Sequence, residues 1–144
     1  MRINYIDNLE GWRSGFNFHI PIKVRFSETD MYGHVNNVSP FIYFEEARID
    51  YLQDLGIVTD ISNKDSAIIV ADLQCDYWKQ IYFNEELKLY VKVASAGNTS
   101  FDLHYMALKE DDDIVLTGRG RIVHINPQTG QSKPLTEEMK RKML

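Results

Sequence analysis

A change of period constrains this chain more than any other feature. In "SPFIYFEEARIDYLQDLG", residues 39–56, the apolar residues Phe41, Phe44, Ala47, Tyr51, Leu52 and Leu55 fall on one arc of a helical wheel, and Gly56 supplies a C-terminal stop. From residue 67 onward the period falls to two. "AIIVADLQCDYWK" sets Ile69, Ala71, Leu73, Cys75 and Tyr77 on one side, and "ELKLYVKVAS" does the same with Leu87, Leu89, Val91 and Val93. "SFDLHYMALKE" follows a tight Gly97-Asn98 turn, and "IVLTGRGRIVHIN" follows the acidic turn at 111–113. Upstream, "NFHIPIKVRF" at 17–26 alternates as well, with Phe18, Ile20, Ile22, Val24 and Phe26 on one face, and Pro21 assigns it to an edge or a bulge. "PLTEEMKRKML", with acids first and bases last, predicts a short closing helix.

The predicted order is strand, long helix, four strands in meander, short helix. An apolar helix followed by an antiparallel meander is best buried when the sheet curls around the helix, which gives an α+β class with a five-stranded antiparallel sheet. Gly118 and Gly120 share one face of the last strand, where missing side chains let the central helix press close. Five strands around one helix leave free edges, and pairing with a second copy covers them.

The chain of 144 residues with 44% hydrophobic content suits one domain, read here as 1–144 with its core from 17 to 144. A formal net charge of -5 gives no global basic field for nucleic acid or an anionic membrane surface. The lone Cys75 excludes an internal disulfide, and the four histidines, at 19, 34, 104 and 124, are too scattered to build a zinc site. A reducing cytoplasm is the expected compartment. "MRINYIDNLEGWRSG" is interrupted by polar residues, so neither a signal-peptide core nor a bilayer span is expected there.

Chemistry concentrates in "SETDMYGHVNN", residues 27–37, just before the apolar helix. A helix amino terminus offers unpaired amides and partial positive charge that can hold a developing oxyanion. Asp30 is placed to attack a carbonyl carbon or activate water, which suits acyl transfer. Gly33 permits a sharp bend, and His34, Asn36 and Asn37 can bond loop backbone or substrate. The plainer alternative is that these are turn residues capping the helix. Ser39-Pro40 reads as N-cap and first helical residue, with Asn36 or Asn37 as competing caps one turn earlier. Glu45 and Arg48, three residues apart, read as a structural ion pair; the alternative makes Glu45 or Glu46 a catalytic carboxylate. Serine nucleophile elbow, P-loop, dinucleotide fingerprint and zinc-protease pair are all absent from the sequence.

"ETDMYGHVNN" followed by "FIYFEEAR" resembles the signature of hot-dog-fold acyl-CoA thioesterases of the 4-hydroxybenzoyl-CoA thioesterase family, over about residues 17–144. The resemblance implies hydrolysis of an acyl-CoA thioester without metal or redox cofactor. It implies that Asp30 is the catalytic carboxylate and that a backbone amide where the long helix begins, at Asn37 or Val38, polarises the carbonyl. It also implies a homodimer or homotetramer with sites at subunit interfaces. The chain departs from many relatives in carrying Ser39-Pro40 where a large residue is common, and Tyr77 resembles a recurrent tyrosine of the family that reads equally as a core aromatic. For the coenzyme phosphates the available cations are Lys79 and the pair Arg119 and Arg121, which project opposite the glycines. Three alternatives stand beside this reading: a dehydratase or hydratase on the same fold using His34, a non-catalytic acyl-thioester or lipid-binding module, and an oligomeric scaffold.

Overall fold

The computed structural model describes residues 2–57 and 62–144. The elements are α1 (Leu9–Ser14), β1 (Phe18–Lys23), a 3₁₀ turn (Phe26–Glu28), α2 (Ser39–Asp54), β2 (Ala67–Tyr77), β3 (Glu86–Ala96), β4 (Ser100–Leu108), β5 (Ile114–Ile125) and α3 (Glu137–Met143). All five strands form one antiparallel sheet in the order β1-β3-β4-β5-β2. The core lies between the concave face and α2, where Tyr43, Phe44, Ala47, Tyr51 and Leu52 meet Leu87, Leu89, Val91, Leu103, Tyr105 and Leu116. Among the described residues no helix is long and apolar enough to cross a membrane.

The expected class and helix face are present, with Tyr43 added to that face and Phe41 only partly buried. Pro21 does lie in an edge strand, paired only with β3. Gly118 lies directly under α2: a Cβ there would stand 2.5 Å from Phe44 Cε2. The partner of Gly120 is Leu73 of β2, not the helix.

Three expectations need correction. The four later strands are not a simple meander, because β2 pairs with β5 at the far edge and β1 takes the place beside β3. Tight turns join β3 to β4 and β4 to β5, but the β2–β3 connection buries Ile81 and pairs with the polar loop, its Ile81 carbonyl accepting from the Val35 amide, so it crosses the fold instead of folding back. Regular alternation in β2 also fails. A bulge between Val70 and Asp72 turns Ile68, not Ile69, toward the core. Its cause is Asp72, whose Oδ1 accepts from the Arg121 backbone amide at 2.9 Å and from the Arg119 guanidinium at 3.0 Å. Finally, β1 stops at Lys23, and Phe26 is 76% exposed in the 3₁₀ turn.

Sequence reasoning also overlooked α1. Asn8 caps it by accepting from the Gly11 amide, and Trp12 packs with Phe16, Met106, Leu108 and Ile114 against the convex face of the sheet. Lys92 Nζ donates to the Trp12 carbonyl at 2.6 Å and sits 4.4 Å from the Phe16 ring centroid, which pins the helix end.

Candidate active site

The polar segment after the 3₁₀ turn is a short hairpin. Thr29 and Val35 form an antiparallel bridge, the Asp30 amide donates to the His34 carbonyl at 2.8 Å, and the Gly33 amide donates to the Asp30 carbonyl at 3.1 Å. Gly33 adopts φ 81°, in the left-handed region that glycine reaches without a Cβ penalty, so the bend expected at this residue is present. The hairpin is tied to the β2–β3 connection through the Val35 amide on the Ile81 carbonyl at 2.7 Å, and to the turn before it through the Asn36 amide on the Glu28 carbonyl at 2.9 Å.

Asp30 is exposed at the tip. Its Oδ1 accepts from the Tyr32 amide at 2.9 Å and the His34 amide at 3.3 Å, and among the described residues Oδ2 has no partner. One oxygen is thus held and the other is open to solvent or substrate. The His34 ring packs edge-to-face on Tyr82 at 5.0 Å and bonds no carboxylate among the described residues.

Helix α2 begins one residue earlier than expected: Val38 is the N-cap and Ser39 is already helical ahead of Pro40, against the bias Pro places on the residue before it. The side-chain cap is nevertheless Asn36, not Ser39. Asn36 Oδ1 accepts from the Val38 amide at 2.9 Å and the Ser39 amide at 2.8 Å, while the Ser39 hydroxyl turns to the Glu28 carbonyl at 3.4 Å. Pro40 has no N–H, and the Phe41 amide donates to the Val38 carbonyl at 3.0 Å. Of the two amides expected to face a carbonyl oxygen, Val38's is therefore engaged. That of Asn37 donates to no group among the described residues. The Asn37 carbonyl accepts from the Tyr77 hydroxyl, so the peptide linking Asn37 to Val38 is fixed at both its oxygen and its nitrogen.

Beside this junction lies a cavity of about 190 Å³ walled by Val35, Pro40, Tyr77, Ile81 and Leu116, with His34 and Lys79 also on its lining. Tyr77 is 44% exposed, and its phenol is pushed up to about 12 by partial burial and the neighbouring Cys75, so it stays a neutral donor. Burial likewise pushes the Cys75 thiol up to about 12, and a thiol of that kind is a poor nucleophile at neutral pH.

The remaining expected residues divide. Lys79 lines the cavity while paired with Asp113. Arg119 and Arg121 stand on the face of β5 opposite Gly118 and are bound there. Arg119 meets Asp72 at 3.0 Å and Asp102 at 3.2 Å, and Arg121 Nε meets Asp102 at 3.0 Å. Arg48 approaches Glu45 at 3.9 Å and donates to the buried Tyr105 hydroxyl at 3.2 Å, which fits the structural reading of that pair.

One carboxylate escaped the sequence reading. Glu28 is 7% exposed, with Oε1 accepting from the Arg25 amide at 2.8 Å and the Tyr43 hydroxyl at 2.9 Å, and Oε2 from the Arg25 guanidinium at 3.1 Å. Burial alone would raise its pKa, but these three donors outweigh it and hold the carboxyl below its usual range. The only advance signal was its place two residues before Asp30.

Comparison with known proteins agrees with this fold. Residues 24–143 match the family described as the Thioesterase-like superfamily. The uncharacterized protein YsmA of Bacillus subtilis (strain 168) is 41% identical over 141 residues, covering 97% of this chain and 95% of its own. Among solved structures, the DHNA-CoA thioesterase from Staphylococcus aureus superposes with a TM-score of 0.76 at 26% identity, over 81% of this chain and 79% of that one. The PA5185 protein from Pseudomonas aeruginosa strain PAO1 gives 0.81 at 26% identity, over 91% and 92%. Matched over most of its length, and carrying the hot-dog architecture of one helix in a five-stranded antiparallel sheet, the chain belongs to the Thioesterase-like superfamily.

Proposed function

We propose that the protein hydrolyses the thioester of an acyl-CoA to the free acid and coenzyme A, in the manner the 4-hydroxybenzoyl-CoA thioesterase resemblance implies. The observation that carries this reading is the unpartnered Asn37 amide between two engaged neighbours, beside an apolar cavity and one hairpin away from Asp30. In this reading the Asn37 N–H faces the thioester oxygen and stabilises the charge that develops there. The open Oδ2 of Asp30 has two available roles. As nucleophile it bonds to the carbonyl carbon, the C–S bond breaks, coenzyme A leaves as thiolate, and water then hydrolyses the mixed anhydride. As general base it takes a proton from a water that attacks the same carbon, the C–S bond breaks, and coenzyme A leaves as thiolate that takes up the proton.

His34, whose ring packs edge-to-face on Tyr82 and bonds no acid among the described residues, supports a place in the loop more than the proton relay a hydratase needs. Lys79 at the cavity lining is the cation best placed for a phosphate, by exchanging Asp113 for it. The relative from Staphylococcus aureus is named as a DHNA-CoA thioesterase, which supports coenzyme A as carrier.

A second copy of the chain belongs to the same proposal. The outer side of β2 is a free sheet edge, and Val38, Ile42 and Ile49 form an exposed stripe along α2 at helical spacing. The cavity of about 190 Å³ falls below the roughly 300 Å³ of ordinary ligand pockets, so a partner wall beside it would complete the site.

Thiol release from short, medium, long and aromatic acyl-CoA esters tests the reading, with Cys75's own reaction with the reagent subtracted. Turnover of at least one ester supports it. If every ester stays intact while the folded protein binds one of them, the binding-module alternative replaces it.

A further inference from the structure

Glu28 is buried, charged and adjacent in sequence to the reacting loop, yet it cannot reach a substrate. Its bonds run in three directions. The carboxylate holds the Arg25 amide and guanidinium at the exit of β1, and it accepts from the Tyr43 hydroxyl on the second turn of α2. Its carbonyl accepts from the Asn36 amide at 2.9 Å and the Ser39 hydroxyl at 3.4 Å. A single residue therefore joins the strand before the hairpin, the chain leaving the hairpin and the first turns of the helix. Asp30 and Asn37 lie on the two arms of what it joins.

We infer that Glu28, clasped by Tyr43, is a positioning residue that fixes the Asp30 hairpin relative to the Asn37 amide. The inference rests on the thioesterase reading for its catalytic consequence, and on geometry alone for its structural one. Two features distinguish this from general packing. A buried carboxylate is costly to desolvate, and one that replaces water by three directed donors is oriented by them. Tyr43 is 3% exposed and its phenol is kept protonated, raised first by burial and then by the Glu28 charge, so it acts as a fixed donor. Reacting groups must be held to within about half an ångström and 10–20° of productive geometry, which a hairpin of turn residues does not secure by itself.

The test uses Tyr43→Phe, Glu28→Ala and Glu28→Gln in the full chain. Tyr43→Phe removes one hydroxyl from the clasp, and kcat is expected to fall about tenfold with KM within about twofold of wild type. Glu28→Gln keeps an oxygen for the Arg25 amide and the Tyr43 hydroxyl, so it recovers part of the rate lost in Glu28→Ala. Adding Tyr43→Phe to Glu28→Ala lowers kcat no further, because the bond is already gone. Independently of catalysis, amide exchange at Tyr32 and His34, the donors to Asp30, quickens in Tyr43→Phe by more than the change in global stability explains.

Unchanged exchange at those two amides overturns the inference, whatever the enzyme does. Quickened exchange with kcat unchanged, in an enzyme that Asp30→Asn inactivates, overturns its catalytic half. If Asp30→Asn is as active as wild type, the thioesterase mechanism fails, and the exchange data still decide whether Tyr43 holds the hairpin.

Discussion

Phe44 and Gly118 are matched across the helix–sheet interface: the ring edge occupies the place a Cβ would take, with Cζ at 2.7 Å from it, and the same ring stacks on Tyr105 at 4.4 Å and 12°. Gly118→Ala must therefore move either the ring or the β2 backbone, since the Gln74 carbonyl is also only 2.8 Å from that position. The expected cost is about 2–3 kcal/mol. A fall in the thermal midpoint of about 4–12 °C by calorimetry would register it. A midpoint within a degree of wild type would show that the contact is not tight.

Asn36 closes the start of α2 by accepting from both the Val38 and Ser39 amides. Asn36→Ala frees both and is expected to cost about 1–2 kcal/mol in denaturant unfolding. Asn36→Asp retains an acceptor next to the helix's positive end and should recover most of that loss.

Much of this architecture was legible in advance. The change from helical to two-residue period located α2 and the strands, and the paired glycines of β5 pointed to a close approach that Phe44 makes. The Asp30 hairpin stood out because its turn residues crowd before an apolar helix. What was hidden depends on contacts distant in sequence. The β2 bulge is set by Asp72 capturing the amide of Arg121, and nothing in "AIIVADLQCDY" itself breaks the alternation. Glu28 reads as a surface acid until Tyr43, on the neighbouring helix, covers it. The place of β2 at the far edge follows from where residues 78–85 cross, which local turn chemistry does not encode. Asn8 before α1 was a readable cap, but six residues of helix carry little periodicity.

His104 makes stability depend on mild acid. Burial, with help from Lys92 and Arg119 and against Asp102, lowers its pKa from 6.5 to about 4, and its Nδ1 accepts from Trp12 Nε1 at 2.9 Å in the neutral form. Below pH 6.5 the unfolded chain takes up a proton that the folded one refuses. The stabilisation is complete above that pH and declines as pH falls toward 4, by roughly 2–3 kcal/mol. Glu28, whose carboxyl is held low, gives its full stabilisation above its unfolded value of 4.5 and loses it only as pH falls below that. Unfolding free energies at pH 7 and 5 should differ less in His104→Gln than in wild type. An equal difference in both would remove His104 from the account.

A second copy, if it covers β2 and the Val38–Ile42–Ile49 stripe, should be sensitive to charge there. Ile42 is 52% exposed, so Ile42→Asp is expected to leave the fold intact and shift the sedimenting species to the monomer. Wild-type protein sedimenting as a monomer at micromolar concentration would contradict the proposed pairing.

The central claim is that Asp30 performs the chemistry, and Asp30→Asn tests it most directly because the carboxamide oxygen can still accept from the Tyr32 and His34 amides. The measurement is kcat/KM on the best acyl-CoA ester of the panel, with amide exchange confirming an intact hairpin. The account predicts a loss of at least about a hundredfold with the fold unchanged. A variant that hydrolyses the ester as fast as wild type would contradict it and move the chemistry away from this carboxylate.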